Sequence, residues 1–161
     1  RNSSVRMTAK VVAALLCTGG ILLAWPWPAT QPETGAAQTK PAAVWGTWSQ
    51  QEEDRLLAEG RPVFVDYTAK WCLTCQLNKG RAYTRPVIDL IEKKGIVLLK
   101  ADKTNPSPAI DAKLKQMGRS AIPVNVLLVP GKEPQITPAL LTADYLTELF
   151  TKELPASELS R

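Results

Sequence analysis

Residues 45–154 of this 161-residue chain read as an α/β fold, a mixed central β-sheet flanked by helices. Three observations predict it. Short apolar runs at 62–67, 95–100 and 122–129 alternate with stretches of helical period. Gly60, Gly95, Gly118 and a series of prolines punctuate the boundaries between them. The chain is 45% hydrophobic, enough for one real core with attachments.

The elements follow in order. Ser49 predicts an N-cap for a helix through QQEEDRLLAEG, with Glu52 three residues on as the partner in a capping box, and Gly60 stops it. Residues 62–67 (PVFVDY) form a short strand. Residues 73–80 should be helical, and 86–94 (PVIDLIEKK) starts a further helical stretch at a proline before Gly95 ends it. Residues 95–100 (GIVLLK) form a buried strand, and 108–117 a helix closed by Gly118. Residues 122–129 (IPVNVLLV) form a strand that turns at 130–132. Residues 134–137 suit an edge strand, where proline is tolerated. Thr142 caps an amphipathic helix over 141–154. Strands and helices in this order pack as layers on a mixed sheet.

Ahead of this region, 11–27 (VVAALLCTGGILLAWPW) is apolar apart from Thr18, and no charge occurs between Val11 and Glu33. Arg1, Arg6 and Lys10 flank it, which suits a transmembrane helix over residues 1–27 with its N-terminal side in the cytoplasm. Trp25 and Trp27 would lie at the far interface, with Pro26 and Pro28 ending the helix. A cleaved signal peptide has the same basic and apolar regions. No small-x-small cleavage site follows Leu23 and the chain opens on Arg, so the expectation is the last membrane crossing of a longer protein. Cys17 within this run reads as a small membrane-compatible residue. Residues 28–44, rich in Pro, Ala, Thr and Gln, read as a linker, and 155–161 as a tail. Either reading puts residues 41–161 outside the cytoplasm.

Charge and composition exclude several classes. Residues 1–40 hold four of the 20 Lys and Arg and one of the 15 Asp and Glu. The remaining 16 cations and 14 carboxylates leave residues 41–161 at only +2, which makes no electrostatic case for nucleic acid. The chain has no histidine. That removes Cys–His and Ser–His nucleophiles and most zinc patterns.

The chemistry resides in Trp71-Cys72-Leu73-Thr74-Cys75, straight after a strand and opening a helix. Exchange between thiols and disulfides needs a thiolate, which free N–H groups and the macrodipole at a helix N-terminus stabilise. The first cysteine of such a pair is normally exposed and attacks; the second, one turn in, resolves the mixed disulfide. A CxxC alone also fits half of a zinc site or a structural disulfide, but no second CxxC completes a metal site here. No cofactor beyond the Cys72–Cys75 disulfide is implied. Asp66, six residues before Cys72, is either a partly buried acid that takes the Cys75 proton or an ordinary strand-end carboxylate. Pro123 is either a cis proline beside the disulfide, where an extended substrate segment pairs, or a trans proline opening a strand. Trp71 either shields the thiol as a docking surface or simply packs. Asn78, Lys79 and Arg81 leave the active-site helix without an acid, which favours the thiolate, and Lys100 in the neighbouring strand either pairs with Asp66 or is simply exposed.

FVDYTAKWCLTCQ, VLLKADKTNP and AIPVNVLLV resemble the C-terminal thioredoxin-like domain of the DsbD-type thiol:disulfide interchange proteins, over about residues 45–154. The resemblance implies a thioredoxin-like fold, with Cys72 attacking, Cys75 resolving, Asp66 the buried acid and Pro123 the cis proline. It implies an inner-membrane protein with this domain in the periplasm. An electron-conducting membrane domain in the same longer chain would supply it, and periplasmic thioredoxin-like or cytochrome c maturation proteins would accept its electrons. Leu73-Thr74 stands where ordinary thioredoxin has Gly-Pro, so its redox poise does not transfer. An oxidase or isomerase on this fold, and a tethered binding or copper-delivery module, are the competing classes. The absence of histidine counts against copper.

Overall fold

The computed structural model describes residues 43–155. The expected membrane helix and most of the expected linker and tail lie outside them. Among the described residues no helix is long and apolar enough to cross a membrane.

Among the described residues, five strands and five helices run in the order β1 (Trp45–Thr47), α1 (Gln50–Ala58), β2 (Val63–Thr68), α2 (Leu73–Arg81), α3 (Arg85–Lys93), β3 (Val97–Asp102), α4 (Pro108–Gln116), β4 (Val124–Leu128), β5 (Gln135–Ile136) and α5 (Ala143–Glu153). The sheet order is β1-β3-β2-β4-β5. β1, β3 and β2 are parallel, whereas β4 is antiparallel to β2 and β5 antiparallel to β4. This is the mixed sheet expected, with one addition. β1 was not foreseen, because three residues after a polar tract carry no periodicity to read. It forms because Trp45 to Thr47 pair in register with Leu98 to Lys100.

Local chemistry sets the boundaries. The side chains of Ser49, Ser107 and Thr142 accept from the amides of Glu52, Ile110 and Tyr145, capping α1, α4 and α5. The capping box at α1 is half made. The Glu52 carboxylate turns to Arg55, one turn on, instead of back to the Ser49 amide. Gly60 and Gly95 adopt φ of +76° and +63°, which lets the amides of Arg61 and Ile96 reach back to the carbonyls of Leu56 and Ile91. A residue with a Cβ is disfavoured in that left-handed conformation.

β2 is buried along its whole length, as the central strand of a sheet covered on both faces must be. Its period of two assigns the faces. Val63, Val65 and Tyr67 point to one side with Leu99, Val126, Leu56 of α1 and Ile110 and Leu114 of α4. Phe64 points to the other with Leu98, Leu127, Ile88 and Ile91 of α3 and Leu146 and Phe150 of α5. Phe64 and Phe150 meet edge to face at 5.3 Å between centroids. Asp66, two residues from Phe64, therefore lies on the α3–α5 face, inside the protein.

Candidate active site

The strand β2 delivers the chain to the disulfide through the 69–72 turn, where the Cys72 amide bonds the Ala69 carbonyl at 3.2 Å. Cys72 is the N-cap of α2. Its Sγ occupies the capping acceptor's place, receiving the Cys75 amide at 3.3 Å. A sulfur there meets the unpaired N–H groups and positive end of the helix, which favour a thiolate once the bond is reduced. Cys72 and Cys75 are disulfide-bonded. Both are largely enclosed, at 7% and 1% exposure, so the attacking sulfur expected to be exposed shows only an edge. Ala69 and Ile122 pack around the pair. That contact brings the loop before β4, with its cis Ile122–Pro123 peptide, beside the sulfurs. An open groove of about 320 Å³ runs on from Ile122 and Pro123 between Arg119 and the Ile136–Ala139 segment.

Asp66 is only 4% exposed. Strand register explains its first partner: Asn125 is directly opposite on β4 and donates Nδ2 to Asp66 Oδ1 at 3.0 Å. The second oxygen, Oδ2, accepts no hydrogen bond, and Lys79 Nζ from α2 stands 3.6 Å from it. Burial pushes the Asp66 carboxyl above the usual carboxylate range, against the pull of the Lys79 ammonium and the Asn125 amide. Of the two alternatives for the β3 lysine, the structure favours exposure. Lys100 is in register with Asp66, but its ammonium lies 3.7 Å from Asp102.

Trp71 is 64% exposed, so it is not a core residue. Its indole N–H donates to the Thr104 carbonyl at 3.2 Å, and the same Thr104 accepts the Lys70 amide at its hydroxyl, 2.9 Å. Asp102 in turn accepts from the amide and hydroxyl of Thr104 and is held below the usual carboxylate range by those bonds. The turn after β3 thus fixes the tryptophan beside the disulfide. Leu73 and Leu77 on α2 are exposed, as is Leu140. The buried Asn78 amide ties that last loop to α2, donating to the Ala139 carbonyl at 2.8 Å and accepting the Leu141 amide at 3.0 Å.

Of the five site residues expected from the sequence, Asp66 lies within β2, Trp71 and Cys72 in the turn that follows it, Cys75 in the first turn of α2, and Pro123 in the loop before β4. Two partners, Asn125 and Thr104, were missed, and Asn78 was named without its clamping role. A lone Asn within VNVLLV was the signal for Asn125, the Asp-Lys-Thr turn that for Thr104, and Asn78 gave none. Among the described residues no group of three or more His, Cys, Asp or Glu is placed to hold a metal ion.

A thioredoxin-like family model matches residues 44–130. This chain belongs to the thioredoxin-like family. It is 29% identical over 115 residues to the thiol:disulfide interchange protein DsbD of Klebsiella pneumoniae, covering 70% of this chain and 18% of that protein. It therefore spans less than a fifth of that relative. A thioredoxin of Chlamydia muridarum is 32% identical over 93 residues, 56% of this chain and 80% of its own length. In fold, the oxidised DsbD C-terminal domain of Neisseria meningitidis superposes with a TM-score of 0.55 at 19% identity, over 66% of this chain and 98% of that one. With Cys72 and Cys75 bonded at a helix N-terminus, the domain is a thioredoxin-fold thiol:disulfide oxidoreductase.

Proposed function

We propose that this protein is a membrane-tethered protein-disulfide reductase, a relay that passes electrons from a membrane domain to disulfide-bearing partners in the periplasm. The observation that carries the exchange chemistry is the Cys72–Cys75 bond at the N-terminus of α2, on the strand–turn–helix that also buries Asp66. Similarity to DsbD supports the reductive direction and the periplasmic setting, and the basic-flanked apolar run at 11–27 supports the tether.

In this reading the reduced Cys72 thiolate attacks one sulfur of the partner's disulfide. A bond forms between Cys72 and that sulfur, and the partner's other sulfur leaves with the electron pair and takes up a proton. The Cys75 thiol then gives its proton to Asp66 while its sulfur attacks Cys72. The bond from Cys72 to the partner breaks, and the partner's second sulfur departs as a thiolate and is protonated. Asp66 releases the Cys75 proton and solvent supplies the other, so the partner has gained two electrons and two protons, and Cys72–Cys75 is a disulfide again. Trp71, Leu73 and Pro123 border the sulfurs that the partner must reach. Periplasmic thioredoxin-like proteins or cytochrome c maturation factors are the acceptors in this proposal.

Equilibrating the chain with glutathione buffers of graded ratio, then counting free thiols, tests the direction. The expected potential is reducing, well below the roughly −120 mV of a strong disulfide oxidant. A value at that oxidising end would refute the relay.

A further inference from the structure

Lys79 lies on α2, one turn after Cys75, yet its ammonium turns inward over β2. Nζ is 3.6 Å from Asp66 Oδ2 and donates to Thr68 Oγ1 at 3.0 Å. Residues 66 and 68 share one face of the strand, so the helix lays this side chain along it. Asp66 Oδ1 is occupied by Asn125, and Oδ2, buried and without a hydrogen bond, is the oxygen that the ammonium faces. The other groups near the carboxyl do not take that role. Lys100 of β3 is turned to Asp102. Asn125 of β4 is uncharged. Tyr83, just beyond α2, is a buried phenol pushed up first by burial and then by Asp66 itself. Asp102 also feels the Lys79 charge, more weakly than that of Lys100.

Building on the proton-acceptor reading of Asp66, we infer that Lys79 is a positioning residue whose ammonium keeps the Asp66 carboxylate ionised and so sets the pH below which the resolving step slows. In that step the Cys75 S–H bond breaks and the proton passes to Asp66. The Cys75 sulfur bonds Cys72, and the partner's sulfur leaves with the electrons of the mixed disulfide. A carboxyl already protonated cannot accept that proton. Burial drives Asp66 toward that inactive form, and among charged neighbours Lys79 opposes burial most strongly.

The test is the pH profile, from about pH 5 to 9, of the oxidation of the reduced full chain by a peptide disulfide, followed in single turnover. Lys79→Met and Lys79→Gln should each move the acid limb upward by about one pH unit, a tenfold loss of rate at its foot. Lys79→Arg, which restores the charge, should return the limb to the parent position. In an Asp66→Asn background Lys79→Met should move nothing. A limb unmoved by Lys79→Met and Lys79→Gln, with Asp66→Asn abolishing it, overturns the role of Lys79 alone. A shift that persists in the Asp66→Asn background means that the ammonium acts on Cys72 directly, which also overturns it. A limb that survives Asp66→Asn unchanged removes the acceptor reading of Asp66, and the inference with it.

Discussion

Replacing Asn78 with alanine tests how the active-site helix holds the loop carrying Leu140. The Asn78 side chain is buried and makes two hydrogen bonds, to the Ala139 carbonyl and from the Leu141 amide. The two losses are unequal. Ala139 is exposed, so its carbonyl can turn to water, whereas Leu141 is fully buried and its N–H keeps no partner. A buried amide left unpaired costs about 1–3 kcal/mol. The space vacated by the amide adds to this, so Asn78→Ala should lose about 2–3 kcal/mol. For a domain of this size that lowers Tm by roughly 6–12 °C. Asn78→Leu fills the space but leaves the same N–H unpaired, so it should keep a loss of about 1–3 kcal/mol. Urea unfolding at unchanged m-value measures both, and amide exchange at Leu141 should accelerate in each. If both variants unfold within about 0.5 kcal/mol of the parent, the clamp is not a stabilising element.

Two further outcomes follow from the same site. Burial holds Asp66 above the ordinary carboxylate range, so the fold disfavours its charged form. Parent stability should then fall as pH rises from about 4, where an unfolded Asp ionises, through the higher folded value. Asp66→Asn should accordingly be more stable than the parent at neutral pH, the gain vanishing below about pH 4 in pH-dependent urea melts; equal stability at pH 7 would contradict this. Thr104→Val removes the hydroxyl that receives the Lys70 amide and bonds Asp102. It should red-shift Trp71 emission and raise quenching by iodide, read as a difference against Trp71→Phe; an unchanged difference signal would show that the turn does not hold the indole.

Much of this architecture was readable because local chemistry and tertiary packing agree. The caps at Ser49 and Thr142 stand where the hydroxyls predicted, and the glycines after the helices close them. The 62–67 run was legible as a strand from its apolar PVFV, and its burial on both faces follows from its central place in the sheet. What escaped depends on register and on long-range reach. β1 exists only through its pairing with β3. The acid pairs with Lys79 instead of Lys100 because parallel neighbours on β2 and β3 need not aim their side-chain ends together, and because α2 crosses above β2. The sequence singled out Lys79 only as one of several cations on the helix. Asn78 was noted for lacking a negative charge, yet its role is that of a clamp, visible only once α2 and the loop before α5 are side by side.

The exchange mechanism rests on the division of labour between Cys72 and Cys75, and trapping measures that division most directly. The reduced chain carrying Cys75→Ser and the one carrying Cys72→Ser are each mixed with a protein disulfide, quenched in acid and weighed by intact mass spectrometry. A stable mixed disulfide is expected on Cys72 in the Cys75→Ser chain, and no adduct on the same timescale for Cys72→Ser, whose Cys75 is enclosed. Equal or faster adduct formation at Cys75 would contradict it.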